Sequence, residues 1–355
     1  MQLQREIYRV EKLPLFQNKI YHSSSAAKSC ATGNVVLVQD SSTGLIFNRE
    51  FNPASLVYDG DYQNEVSGTA FSSHLDSTIQ LIEKHFNNHK LIEIGCGKGT
   101  FLEKLIAKDF DVIGLDPAYE GSNPKIRREY FTPETNIRGD GIILRHVLEH
   151  IQHPIQFLQL LKESNGGSGK VYIEVPCLDW ISHNNSWFDL FYEHVNYFRL
   201  ENFQQMFGIV YEASHSFGGQ YLSIVADLSS LRVPAYSGIP FAFPKNFTDG
   251  LERNKQELAK QKLQDASSQI VVWGAASKGV IFSIFMNRTG TPIDFIVDIN
   301  PSKQGKYLAV TGLKVLAPHE AMEIIPPNST VIVTNPNYLE EIKSLTSNRF
   351  NYQLA

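Results

Sequence analysis

The spacing of apolar residues in the middle of the chain switches several times between a helical and a strand pattern. Leu75, Ile79, Ile82 and Phe86 fall three or four positions apart, which is one face of a helix. Short apolar runs then predict strands at 91–94, 112–115, 141–144 and 170–175, with helices at 101–106 and 155–161. Strands that alternate with helices predict an α/β fold with a mostly parallel sheet between helices.

The two ends of the chain have patterns of their own. The first 70 residues are rich in short β-type runs and turns, with strands at 35–39 and 45–47 around a turn at 40–44. Prolines and glycines at 234–250 predict a connector, and a charged helix follows at 251–265. A second α/β pattern comes next, with strands at 270–273, 295–298 and 330–333 and a helix from Val280.

These patterns predict four segments. They are a small β-rich module (1–70), a central α/β domain (71–233), a connector with a helix (234–265) and a smaller C-terminal α/β domain (266–355).

Composition narrows the classes of function. The chain has 355 residues, 42% of them hydrophobic, so it can form two or three domains with real cores. Its formal net charge of −5 argues against nucleic acid as a partner, because binding phosphates needs a basic surface. No apolar run reaches membrane-spanning length, and Cys30, Cys96 and Cys177 are too far apart for a disulfide framework. We therefore expect a cytoplasmic protein without nucleic-acid or membrane partners, of undefined oligomeric state.

A glycine loop joins the first strand of the central domain to the next helix. It runs from Glu93 to Gly99, with further glycines at 95 and 97. A dinucleotide loop needs a third glycine three positions after the second, and Thr100 stands there instead. S-adenosylmethionine has no pyrophosphate and does not need that glycine, and Glu93 suits its cationic amino group. A glycine turn that binds nothing is the alternative.

Three later positions extend this predicted cofactor site. Asp116 ends the next strand, where its carboxylate can accept both ribose hydroxyls. Arg145 and His146 follow the strand at 141–144, so they can face the same crevice. The predicted set for S-adenosylmethionine is Glu93, Gly95, Cys96, Gly97, Asp116, Pro117, Arg145 and His146.

Two segments contain candidate acid–base groups. Glu149 and His150 fit a structural role better than a catalytic one. Residues 187–198 surround Glu193 and His194 with aromatic side chains. That segment is either an aromatic core with a hydrogen-bonded histidine or a proton-transfer site, since an imidazole titrates near neutral pH.

Taken together, these motifs resemble the sugar C-methyltransferases of deoxysugar pathways, which act on nucleotide-linked keto-sugars. The resemblance covers nearly the whole chain and rests on the glycine loop, Arg-His-Val-Leu-Glu-His at 145–150, Tyr-Glu-His-x-x-Tyr-Phe at 192–198, Gly-Ala-Ala-Ser-Lys-Gly at 274–279 and Val-Asp-Ile-Asn-Pro-Ser-Lys at 297–303. It implies a central class I, Rossmann-like methyltransferase sheet, a zinc-ribbon-like N-terminal module and a C-terminal C-methyltransferase domain.

Two features depart from the family's pattern. The family's N-terminal module usually holds zinc with two Cys-x-x-Cys pairs, whereas Cys30 is the only cysteine in residues 1–70 here. We therefore expect a degenerate module without zinc. Phe191 stands where the family can carry a tyrosine, so one polar contact is lost.

The resemblance also implies a mechanism that requires no metal. His194 would remove the proton beside the ketone, and the enediolate would attack the methyl group of S-adenosylmethionine in line. Glu193 would orient His194 or stabilise the enediolate. Tyr62, Tyr197 and His146 are further candidates for contacts to the small-molecule substrate.

Several alternatives remain open. The C-terminal loop at Lys278 is either a phosphate site or a structural loop, with Asp298 placed for a ribose and Lys303 and Lys306 read as surface charges. The whole protein is alternatively a small-molecule O- or N-methyltransferase, or an inactive binding or scaffold protein. An oxidoreductase is disfavoured by the misplaced third glycine.

Overall fold

The N-terminal part forms an antiparallel sheet in the computed structural model, which describes residues 5–56, 61–63, 68–87 and 89–355. Its elements are β1 (Arg5–Pro14), β2 (Ile20–Tyr21), α1 (Ser24–Lys28), β3 (Thr32–Gln39) and β4 (Ile46–Asn48). β3 lies between β1 and β4 and is antiparallel to both. The four successive apolar residues Val35–Val38 are fully buried, so both faces of β3 are covered. The strands predicted at 35–39 and 45–47 are confirmed, whereas β1 was not predicted from the sequence.

The central part is built on a seven-stranded sheet in the order β11-β12-β9-β8-β5-β6-β7. Its elements are α2 (Thr69–Phe86), β5 (Lys90–Ile94), α3 (Thr100–Ile106), β6 (Asp111–Leu115), β7 (Ile126–Arg127), β8 (Gly141–Arg145), α4 (Pro154–Ser164), β9 (Lys170–Pro176), α5 (Leu178–His183), β10 (Asn196–Tyr197), α6 (Leu200–Met206), β11 (Val210–Ser216) and β12 (Tyr221–Asp227). β12 runs antiparallel to both of its neighbours, and the other pairs along the sheet from β9 to β7 are parallel.

This topology confirms the predicted Rossmann-like α/β fold. The sheet's order reverses at β5, which has β6 on one side and β8 on the other. Helix α2 buries Leu75, Ile79, Ile82 and Phe86, the face that the spacing predicts. In an open α/β sheet, the crevice beyond the carboxyl ends of the strands at such a reversal is where ligands bind.

The C-terminal part is a second, smaller α/β unit, as predicted. Its elements are α7 (Asp249–Gln264), β13 (Ile270–Trp273), α8 (Ser277–Arg288), β14 (Phe295–Val297), β15 (Tyr307–Leu308), β16 (Val315–Leu316), α9 (Pro318–Ile324), β17 (Thr330–Val333), α10 (Leu339–Leu345) and β18 (Asn351–Leu354). Five strands form a parallel sheet in the order β16-β14-β13-β17-β18.

Two strand pairs connect these parts. β10 pairs with β4, which makes it the fourth strand of the N-terminal sheet, and β15 pairs with β2. The predicted connector at 234–250 buries Phe241 and Phe247, and the Phe247 ring lies 5.6 Å from that of Tyr8. The segment that precedes β10, which contains His194, is therefore held over the N-terminal sheet.

Among the described residues, no helix is both long and apolar enough to cross a membrane.

Candidate active site

The glycine loop is shaped by left-handed backbone at Gly95, Gly97 and Gly99, with φ of 71°, 56° and 89°. The Gly95 N–H donates to the Leu115 carbonyl at 2.8 Å, which ties the loop to β6. A Cβ on Gly95 would lie 2.5 Å from Val147 Cγ2, whereas a Cβ on Gly97 would meet nothing within 4 Å. The loop therefore rests on the sheet on one side and leaves open space beside Gly97, where a ligand can approach the backbone.

Two acidic residues flank this space. Asp116 Oδ2 accepts the Gly97 N–H and Oδ1 accepts the Ala118 N–H, both at 2.8 Å, so the backbone fixes the carboxyl group at the end of β6. Burial raises the pKa of Asp116 despite these hydrogen bonds. Pro117 follows, half-buried.

Glu93 is 2% exposed, and its Oε2 has no hydrogen-bond partner among the described residues. Burial raises the pKa of Glu93 to about 7, although the Arg145 guanidinium acts in the opposite direction. A spare buried acceptor of this kind fits a cationic amino group of a ligand, because an unpaired polar atom is costly.

Cys96 packs away from this open space. Its side chain is buried in the cluster with Phe101 and Leu102, and its Sγ would lie 2.8 Å from a Cβ on Gly114. Burial raises the pKa of the thiol, which disfavours a reactive thiolate. The structure thus gives the Cys96 side chain a packing role, and its contact with the cofactor stays a prediction.

A fully buried carboxylate, Glu174 on β9, was missed by the sequence analysis. Arg145 Nη2 donates to its Oε1 at 2.9 Å and Tyr172 Oη donates to its Oε2 at 2.9 Å. His146 Nε2 lies 3.3 Å from Oε1, and His74 Nε2 lies 3.1 Å from Oε2. Burial alone would raise the pKa of Glu174, but Arg145 and the two histidines hold it well below its usual range. The only sequence signal was one acid within an apolar strand.

His146 lies between two carboxylates. Its backbone is left-handed, with φ 53°, and its Nδ1 is 3.2 Å from Glu149 Oε1. Burial lowers the pKa of His146, but Glu149 and Glu174 outweigh that effect and raise the pKa to about 9. At neutral pH this residue is therefore a cation, and both of its ring nitrogens face carboxylates. It lies at the end of β8, as predicted.

His194 is 7% exposed and sits beside His150, with ring centroids 4.9 Å apart and ring planes at 88°. Its Nε2 is 3.2 Å from the Gln17 side-chain nitrogen, and the Gln17 backbone N–H donates to Glu193 Oε2 at 2.7 Å. Burial holds the pKa of His194 well below its usual range, and the charge of His146 adds to this. The imidazole is therefore neutral at physiological pH.

Glu149 and His150, for which the sequence favours a structural role, lie beside His194. One ligand-type atom from each of Glu149, His150 and His194 falls within 4.8 Å of the others. His150 Nδ1 also lies 3.1 Å from the Glu193 carbonyl oxygen. The Arg-His-Val-Leu-Glu-His motif and the Glu-His motif thus meet in space, as side-chain neighbours.

The two tyrosines predicted as substrate contacts differ in position. The Tyr197 hydroxyl accepts the Phe191 N–H at 2.8 Å and donates to the Phe191 carbonyl at 2.9 Å, so it holds the backbone before Glu193. The Tyr62 ring lies 6.2 Å from that of Phe16, next to Gln17. The contact of Tyr62 with a substrate stays a prediction, whereas the Tyr197 hydroxyl is already engaged.

The N-terminal module also reaches the glycine loop. Lys98 Nζ donates to Gln63 Oε1 at 3.0 Å, and Gln63 is buried. Gln63 and Gln17 were not predicted, because their contacts are set by the meeting of two parts of the chain and not by a local motif. Phe191, where the resembled family can carry a tyrosine, packs its ring 5.0 Å from that of His194.

A row of neighbouring charged side chains leads from the cofactor loop towards His194. Arg145, which attracts Glu93, donates to Glu174; His146 lies between Glu174 and Glu149. Glu149 in turn adjoins His194. These contacts bring Glu93, His146 and His194 into one region of the molecule, and their roles towards a cofactor and a substrate stay predictions.

In the C-terminal glycine loop, Asp298, the residue predicted for a ribose, is engaged by protein groups. Asp298 accepts the Ala275 N–H at 2.7 Å and the Asn300 N–H at 2.8 Å, and Lys303 Nζ lies 3.8 Å from its Oδ2. Lys303 is 2% exposed, so its interpretation as a surface charge was wrong: it fills the space beside Asp298. Lys306 is on the surface, as expected.

Lys278 points away from Asp298, towards the central domain. Its Nζ forms an ion pair with Asp189 at 2.8 Å and donates to Gln220 Oε1 at 2.6 Å. The Nζ also lies 4.9 Å from the Trp180 ring centroid. Its positive charge contributes to the low pKa of His194. This end of the C-terminal domain therefore faces the candidate active site.

Comparison with known families assigns methyltransferase domains to two segments of this chain, which supports the predicted class of enzyme. Residues 67–208 match the family model described as a methyltransferase domain. Residues 240–351 match the model described as a C-methyltransferase C-terminal domain. The two matches fall on separate segments, the first containing the glycine loop and His194 and the second containing Lys278.

Two solved structures illustrate the likeness. One is a SAM-dependent methyltransferase from Archaeoglobus fulgidus, with 16% identity, 45% of this chain and 95% of that chain covered, and a TM-score of 0.34. The other is 1,6-didemethyltoxoflavin-N1-methyltransferase from Burkholderia thailandensis, with 14% identity, 44% and 78% covered, and a TM-score of 0.35. No curated protein sequence matches the chain.

Proposed function

We propose that this protein transfers the methyl group of S-adenosylmethionine to a carbon atom of a nucleotide-linked keto-sugar, with His194 as the base. The observation that carries the proposal is the buried, neutral imidazole of His194 beside Glu149, whose other neighbour His146 lies at the end of β8. A carbon beside a ketone must lose a proton before it can attack, and a neutral imidazole can accept that proton. The C-methyltransferase C-terminal domain at 240–351 supports carbon as the acceptor.

The proposed reaction has two steps. The proton passes from the sugar carbon to His194, and the electrons of the C–H bond form an enediolate. The enediolate carbon then bonds to the methyl carbon while the sulfur–methyl bond breaks, which leaves S-adenosylhomocysteine. The protein's part in the second step is to align the two molecules and to exclude water.

Glu193 and Gln17 position the base. Glu193 anchors the Gln17 backbone, and the Gln17 side chain contacts His194. His146 places a positive charge near the site, which favours the developing negative charge of an enediolate. We expect Tyr62, whose ring packs beside Phe16, to contact the sugar.

The nucleotide part of the substrate is expected near Lys278. A phosphate can take the place of Asp189 as the partner of this lysine, which lies in the first turn of α8.

The experiment separates binding from chemistry. His194→Asn should bind S-adenosylmethionine as the natural chain does in calorimetry but should lose about 10²–10⁴-fold in methyl transfer, the usual contribution of a placed base. The matched control is His183→Asn, since His183 is an exposed histidine on α5.

Exchange of solvent deuterium into a keto-sugar nucleotide reports proton removal directly. We expect exchange with the natural chain and the His183 variant and none with His194→Asn. Full activity of His194→Asn would remove this residue from the mechanism. Methyl transfer to oxygen or nitrogen without deuterium exchange would replace carbon methylation with the corresponding alternative.

A further inference from the structure

The cluster of Glu149, His150 and His194 has the composition of a transition-metal site. It offers two imidazole nitrogens and one carboxylate oxygen, all within 4.8 Å of one another. Zinc binds such ligands at about 2.0–2.2 Å, so ligands that share an ion lie roughly 3–4 Å apart. The separation of the three groups is therefore close to the spacing that a shared ion requires. Among the described residues this is the only such group.

Neighbouring contacts support all three groups from outside. His150 Nδ1 lies 3.1 Å from the Glu193 carbonyl oxygen, and His194 Nε2 lies 3.2 Å from the Gln17 amide. Glu149 Oε1 lies 3.2 Å from His146 Nδ1. Metal-binding histidines and carboxylates are held in this way by a second set of contacts, which fixes their orientation.

A separate observation favours a second cation beside Glu149, in addition to His146. Glu149 is 1% exposed, and its Oε2 has no hydrogen-bond partner among the described residues. A buried carboxylate oxygen without a partner is costly, and a cation bound to it would remove that cost. Because His146 contacts the other oxygen, Glu149 can supply one ligand atom.

We propose that Glu149, His150 and His194 bind one divalent transition-metal cation, zinc being the best match, and that the bound ion switches off the base. The switching part rests on the proposed function, whereas the binding part does not. Coordination uses the lone pair of a His194 nitrogen, so the same imidazole cannot accept a substrate proton. The protein is then active without the metal and inhibited with it.

Binding is tested on the full chain by zinc calorimetry and by the visible absorption of Co²⁺, whose intensity reports tetrahedral ligands. We expect one ion per chain for the natural sequence. Glu149→Gln and His150→Asn should each weaken binding by at least about 10-fold. The control Glu163→Gln, an exposed glutamate on α4, should bind as the natural chain does. Binding of S-adenosylmethionine by each variant reports that it is folded.

Absence of a stoichiometric ion in the natural chain overturns the site. Binding that Glu149→Gln and His150→Asn leave unchanged places the ion elsewhere and overturns it equally. For the switch, stoichiometric Zn²⁺ should abolish methyl transfer and a chelator should restore it. Full methyl transfer with the site occupied overturns the switch alone. A chain that binds zinc but shows no methyl transfer with or without it contradicts the proposed function and leaves the site standing.

Discussion

Gly97 offers the clearest test of the predicted cofactor site. Its backbone N–H is bound by Asp116, and its φ of 56° is left-handed. Unlike Gly95, it has open space where a side chain would begin. A methyl group there collides with no protein atom and enters only the space that we assign to the ligand.

Gly97→Ala should therefore weaken S-adenosylmethionine binding by at least 10-fold while lowering stability by only about 1–2 kcal/mol, the cost of a left-handed alanine. Calorimetry gives the affinity and chemical denaturation the stability. Gly167→Ala is the matched control, because Gly167 has φ 82°, nothing within 4 Å and a place in the turn after α4. It should lose similar stability and no affinity. Unchanged affinity in Gly97→Ala would mean that the cofactor does not approach this face of the loop.

Charge distinguishes the two histidines that matter most. His146 touches two carboxylates, which keep it protonated, whereas His194 faces an amide, aromatic rings and positive neighbours, which keep it neutral. The residue type is the same, and the surroundings decide which is a fixed cation and which can accept a proton.

At the scale of elements, the pairing of β4 with β10 attaches the segment that contains His194 to the N-terminal sheet. Tyr192 provides the link: its hydroxyl accepts the Asn52 N–H at 2.9 Å, and its ring lies against Gly33 on β3. The N-terminal module, which lacks the zinc ligands of the family it resembles, thus still holds the segment that contains His194.

Gly33→Ala tests this role. The added Cβ would lie 2.3 Å from Tyr192 Cε2, so the Tyr192 ring must move, and we expect this shift to displace the adjoining Glu193 and His194. A displacement of about 1 Å can cost about 10²-fold in rate, so we expect a loss of that order in methyl transfer with unchanged S-adenosylmethionine affinity. Steady-state kinetics and calorimetry provide the two measurements.

The control for this variant is Gly208→Ala, where the new Cβ would be 3.6 Å from Ser230 Cβ, an ordinary contact. It should retain both activity and affinity. Wild-type turnover in Gly33→Ala would show that the module does not position His194.

Local sequence patterns predicted most helices and strands, but they could not predict contacts between residues that are far apart in the chain. Helix α2 and the strand at 91–94 follow from spacing alone, because each buries one regular face or run. Strand β1 was missed since charged and apolar residues mix along it and its exposed face has no clean alternation. Gln17 and Glu193 are 176 positions apart, so no periodicity could place them together. The histidine and acid of the site were therefore predictable as residue types, and their partners were not.

At the scale of the whole molecule, one hydrophobic core cluster crosses the boundaries between the predicted segments. One buried cluster combines residues of β1 and β3, the aromatic stretch before β10, and helix α8. Trp187 stands at its centre, 2% exposed and stacked on Phe282 with ring centroids 5.6 Å apart. The central sheet has two clusters of its own. We infer that the N-terminal sheet and the C-terminal domain stabilise one another through the segment that contains His194.

Trp187→Ala should consequently destabilise both ends of the chain together, by about 3–5 kcal/mol, the usual cost of deleting a buried aromatic ring. Hydrogen exchange followed by mass spectrometry resolves the regions: protection should fall in β1, β3 and β13 by the same free energy and much less in β5 and β8. Ile209→Ala, a side chain of the central part that is 48% exposed, is the control and should change none of them. A loss confined to β13 would mean that the C-terminal domain folds alone, and the N-terminal module would then owe its stability to the central sheet. A joint loss means that any change weakening the C-terminal domain also loosens the hold on His194, since the same core supports both.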